Sequence, residues 1–91
     1  MKIELKYQAC NIADALCRNI NNNFESISFE IMNSGEILIK IILSELTEQE
    51  EEYIDDFIAE FSSAQERDCV LKPLIEVGHS SPLPNIVYRK V

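Results

Sequence analysis

The sequence predicts an α+β domain in which an antiparallel sheet carries two helices on one face. Three observations predict it. Two stretches repeat their apolar residues with the period of a helix, one before and one after a segment of strict alternation. That alternating segment, Ser26 to Leu43, can fold back on itself so that six apolar residues meet in pairs. The chain has 91 residues, of which 46% are hydrophobic, which is room and apolar content for one core and one domain, 1–91.

Lys2 to Tyr7 alternates, with Ile3, Leu5 and Tyr7 on one side and Lys2, Glu4 and Lys6 on the other, the pattern of a half-buried strand. Asn11 then reads as a helix N-cap, with Asp14 in the first turn where the helix dipole favours a negative charge. Ile12, Leu16 and Ile20 recur every four residues beside Ala13 and Cys17. The run Asn21-Asn22-Asn23 is expected to end this helix, because asparagine tolerates the left-handed conformation.

In the alternating segment, Asn33-Ser34-Gly35 makes a three-residue loop with glycine last, as a bulged hairpin requires. Pairing about it sets Ile31 opposite Ile37, Phe29 opposite Ile39 and Ile27 opposite Ile41, all on one face. A one-residue slip would turn one strand's apolar residues to the other face, so the register is specified.

Thr47-Glu48-Gln49-Glu50 is a capping box, in which the hydroxyl and the Glu50 carboxylate each satisfy a free backbone donor. A helix follows with Tyr53, Ile54, Phe57, Ile58 and Phe61 on one stripe, fraying near Ser62-Ser63. Cys69 to Val77 reads as extended, and Pro73 inside it marks an edge strand or a broken one. Gly78 to Pro84 reads as a loop, and Asn85 to Val91 as the candidate for a final strand. The expected order is βαββαβ(β), which is ferredoxin-like. Many α+β domains share that order, so it says little about function.

The net charge is −8, and it has one source. Glu45 to Glu60 contains eight acids and no base, whereas the rest of the chain holds eight acids and eight bases. On a helix, Glu48, Glu51, Glu52, Asp55 and Asp56 follow spacings of three and four opposite the apolar stripe, forming an acidic ridge that Glu60 extends. Like charges at that spacing cost a few tenths of a kcal/mol each. Two readings stand. The ridge is a solvated face that aids solubility, or it is a surface for a basic partner. Either way it opposes direct nucleic-acid binding, because phosphates would be repelled.

Catalytic and metal signals are weak. His79 is the one histidine, beside Gly78 and Ser80-Ser81, without a nucleophile elbow or a cysteine signature. Cys10, Cys17, Cys69 and His79 lack the close pairs of a structural zinc site, so buried, apolar cysteines are expected. Three cysteines leave one unpaired, and Cys10 and Cys17 would stand about 10 Å apart on a helix, beyond disulfide reach. The acids of Glu50 to Asp56 do not form an EF-hand loop. With only Gly35 and Gly78, no phosphate-cradling loop exists. No cofactor or metal is expected. The N-terminus shows no secretory pattern and no run approaches the roughly 20 apolar residues of a membrane helix, so a cytoplasmic protein without membrane contact is expected.

The strand-helix-hairpin-helix outline of the first two thirds is similar to the small dimerising subunit of the KEOPS tRNA-modification complex. That similarity of element order implies a structural or oligomerisation subunit, and a homodimer. Leu38 and Ile42, on the hairpin face away from the core beside Lys40, would suit a symmetric interface. The charge distribution points elsewhere, to a small non-enzymatic protein that blocks a basic partner. Its most concrete form is an immunity protein or antitoxin neutralising a nuclease toxin, with Glu48, Glu51, Glu52, Asp55, Asp56 and Glu60 as contacts.

Overall fold

A computed structural model of the chain describes residues 3–16, 19–63, 65 and 71–90. Two helices and four strands follow one another as α1 (Ile3–Leu16), β1 (Phe24–Ile31), β2 (Ile37–Leu43), α2 (Glu48–Ser63), β3 (Leu71–Val77) and β4 (Asn85–Arg89). The strands form one sheet in the order β3-β2-β1-β4. β1 is antiparallel to β2 and β4, while β2 and β3 run parallel. The fold is α+β with a mixed sheet, where a wholly antiparallel one was expected. The parallel pair arises because α2 serves as a crossover, returning the chain to the starting end of β2 before β3 begins.

The central hairpin has the expected register. Ile31 pairs with Ile37, Phe29 with Ile39 and Ile27 with Ile41. Gly35 closes the loop at φ 91°, and Met32 N–H donates to Glu36 O at 2.8 Å. Ile27, Phe29, Ile37, Ile39, Ile41 and Leu43 share one core with Ile12 and Ala15 of α1 and with Ile54, Phe57 and Phe61 of α2. Both helices therefore lie against the same sheet face.

The N-terminal third departs from expectation. Ile3 to Tyr7 belong to α1, not to a strand, and Lys2 lies outside the described residues, so the described elements run αββαββ rather than βαββαβ(β). The strand that began both the ferredoxin-like order and the KEOPS-like outline is helical here. Asn11 lies inside this helix rather than capping it, and its side-chain amide has no partner. The described buried residues of α1 are Gln8, Ile12 and Ala15, with Asn19 buried past the helix end, whereas Ala13 is exposed. Two of these four buried residues are amides. Gln8 exchanges reciprocal hydrogen bonds with Gln65 beyond the end of α2, and Asn19 Nδ2 donates to Ala15 O. Polar residues that satisfy one another inside do not appear in an apolar periodicity.

The Asn21-Asn22-Asn23 run makes no left-handed stop, since the described residues at positive φ are both glycines. Asn21 instead forms a turn of its own, its Oδ1 accepting from Asn23 N–H and its backbone O from Phe24 N–H. Cys17 and Cys69 lie outside the described residues, as do Val70 and Val91 of the expected last strands. Cys10 is exposed and free, not a buried apolar residue.

The sheet's second face is covered in part. Residues 78–84 carry the chain from β3 at one edge to β4 at the other. On the way Ser81 O accepts from Lys40 Nζ at 2.6 Å, and Leu83 N–H donates to Ser28 Oγ at 2.8 Å. This strap buries Ser28 (0% exposed) and Ile42 (4%). Of the two residues expected to lie open for a symmetric interface, Ile42 is thus buried and Leu38 is half-buried.

Candidate partner-binding surface

Helix α2 starts on the expected capping box. Thr47 N–H donates to Glu50 Oε1 at 2.8 Å and the Thr47 hydroxyl to the same oxygen at 2.7 Å. Thr47 Oγ1 in turn accepts from Gln49 N–H at 3.3 Å. Glu50 Oε2 accepts from Asn21 Nδ2 at 2.9 Å, so the box is tied to the turn that starts β1. These donors, Asn21 first and Thr47 next, lower the Glu50 pKa below its ordinary value, against the opposing effect of burial. At 1% exposure this carboxylate is structural and faces away from any partner.

The remaining acids face outward. Glu48, Glu51, Glu52, Asp55 and Asp56 are exposed, and Glu60 is half-buried. None of the five exposed acids forms an ion pair with a described residue. The ion pairs among described residues are Lys40–Glu76 at 3.7 Å, between β2 and β3, and Lys72–Glu36 at 2.9 Å, between β3 and the hairpin loop. The five carboxylates extend over about 12 Å of helix, at 1.5 Å per residue. Tyr53 does not belong to this face. Its ring packs against Phe24, with centroids 6.5 Å apart, and its hydroxyl accepts from Gln49 Nε2 at 3.2 Å. The structure thus brings five of the six proposed contacts onto one exposed surface and leaves Glu60 at its margin.

A cleft of about 550 Å³ opens on the opposite face, under the strap, lined among others by Ser26, Ile42, His79, Arg89 and Lys90. Its charges are mixed, since Glu25 lines it as well. Lys90 Nζ is spent on Asn22 O at 2.8 Å. His79 is exposed, and no cysteine among the described residues lines the cleft beside it. Among the described residues there is no group of three or more His, Cys, Asp or Glu placed to hold a metal ion. No described helix is long and apolar enough to cross a membrane.

No protein-family model matches this chain, and no curated protein matches it.

Proposed function

We propose that the domain is a non-enzymatic binding protein that blocks a basic protein partner through the outward face of α2. In its most concrete form it is a cytoplasmic immunity protein or antitoxin, neutralising a nuclease toxin by occupying the cationic surface meant for nucleic acid. The observation that carries the proposal is the row Glu48, Glu51, Glu52, Asp55 and Asp56, exposed and without a described cation nearby. The helix dipole favours acids only in the first turn. Asp55 and Asp56 lie beyond it, where like charges three and four residues apart repel. A basic surface placed on this row converts that repulsion into attraction, speeds encounter and rejects acidic competitors.

The test is capture from the native lysate on immobilised protein at low salt, followed by elution with rising salt. A single basic protein, with nuclease activity that the domain suppresses, is the expected product. Equal capture by a Glu52→Lys, Asp55→Lys, Asp56→Lys variant would rule out the ridge as the contact.

A second reading, a structural or oligomerisation subunit, is favoured by one observation. The edge strand β3 exposes Leu74, Ile75 and Val77.

A further inference from the structure

We propose that β3 pairs with the β3 of a second copy of this chain, antiparallel about a two-fold axis at Leu74, making one continuous eight-stranded sheet. This rests on the oligomerisation reading and is independent of the acidic face of α2.

Among the described residues, β3 has strand partners on one side only, in β2. Just past its end, Gly78 N–H donates to Leu43 O at 2.9 Å. Backbone groups alternate in direction along a strand. Lys72, Leu74 and Glu76 therefore turn their amides and carbonyls toward β2, and Leu71, Pro73, Ile75 and Val77 turn theirs outward. Pro73 falls in the outward set, where its missing N–H costs β2 nothing. Leu74, Ile75 and Val77 are 41%, 42% and 55% exposed. The other edge is less suited to pairing, since β4 has five residues and shifts register against β1, while β3 has seven in unbroken register with β2.

The occupant is argued from the strand's own order of charges. An antiparallel pair centred on Leu74 sets Lys72 of each copy opposite Glu76 of the other, and Leu74 opposite itself. It also sets Pro73 opposite Ile75 and Leu71 opposite Val77. The outward groups then meet as an antiparallel ladder requires, with both bonds at each Leu71–Val77 pair and a single bond at each Pro73–Ile75 pair. Lys72 already pairs with Glu36, and Glu76 with Lys40. Pairing of two copies joins these into alternating rows, Glu36–Lys72 of one copy running into Glu76–Lys40 of the other.

Other registers are worse. An axis at Pro73 opposes two residues without an N–H. An axis at Glu76 opposes two carboxylates. An axis at Ile75 sets Lys72 against Gly78 and Glu76 against Leu74. Lysine and proline commonly guard exposed edges against pairing. Here the same two residues select one register instead.

The test is the solution mass of the full chain across a concentration series, with two variants. The wild type is expected to reach twice the chain mass. Leu74→Glu is expected to lose the dimer and still fold, its thermal midpoint falling to that of the dilute wild type, because the new carboxylate lies beside Lys40 in its own chain but faces its copy across the axis. Leu74→Cys, with Cys10, Cys17 and Cys69 replaced by serine, is expected to cross-link on mild oxidation, since residues opposed at the axis bring Cβ atoms to about 4.5–5.5 Å. A dimer that survives Leu74→Glu would overturn edge pairing and leave the oligomerisation reading standing. A monomer at every concentration would overturn both.

Discussion

The side-chain amide of Asn21 donates to Glu50 Oε2 at 2.9 Å, joining the turn before β1 to the first turn of α2 across 29 residues of sequence. The other oxygen of Glu50 is held twice by Thr47, through its N–H and its hydroxyl. One carboxylate thereby fixes where the acidic helix starts and how it is placed relative to the central hairpin. It separates the acids of α2 into one that builds the fold, five exposed ones and the half-buried Glu60.

Acid should reveal that division. The folded Glu50 pKa is lowered from its ordinary 4.5. Between the folded and ordinary values the unfolded chain binds more protons, so stability falls as pH falls through that interval. The contribution is fully present above the ordinary value. In Glu50→Gln, whose side chain does not titrate, the slope of stability against pH below about pH 4.5 should be shallower than in the wild type. Urea midpoints at several pH values measure it, and parallel slopes would show that Glu50 does not carry the effect.

Gly35 tests the hairpin loop. Its φ of 91° lies in the left-handed region, and a Cβ there would meet nothing within 4 Å. Gly35→Ala should destabilise by about 1–2 kcal/mol through the backbone alone. The loss should appear as a lower denaturant midpoint with an unchanged m-value. An unchanged midpoint would mean that the loop relaxes to another turn.

On α2, two substitutions should separate core from ridge. Phe57 is buried and stacks against Phe61 with ring centroids 6.3 Å apart, so Phe57→Ala should cost about 3–5 kcal/mol. Asp55 is exposed, with Glu51 and Glu52 one turn before it. Asp55→Asn should be neutral or stabilise by a few tenths of a kcal/mol, because it removes like-charge neighbours. Chemical denaturation of both variants measures the difference, and a substantial loss in Asp55→Asn would show that this acid serves the fold.

The parts of the fold legible in the sequence were those written in one simple period. Ile27 to Ile41 alternate without interruption about a glycine loop, so their register followed from pleat geometry. Thr47 and Glu50 stand at capping-box spacing, and Pro73 pointed to an edge strand or a broken one, of which β3 is the first. The α1 region was misread because its buried side includes Gln8, with Asn19 buried past the helix end, while six alternating residues at the start imitate a strand. The covering of Ser28 and Ile42 by the strap was hidden for a different reason. It depends on strand order, with β3 and β4 at opposite edges, and no local pattern encodes that order. The acidic ridge was legible because helical spacing alone places its members. The bond from Asn21 to Glu50 was not, because nothing local links residues so far apart.

The most direct test of the proposed function is the affinity of the basic partner for the wild-type domain and for the Glu52→Lys, Asp55→Lys, Asp56→Lys variant, measured at two salt concentrations. Binding through the ridge predicts a loss of about a hundredfold or more in the variant. It also predicts that salt weakens wild-type binding, since exposed charges are screened over about 8 Å at physiological ionic strength. Equal affinity of the two proteins, unmoved by salt, would contradict it and leave the ridge as a solvated face.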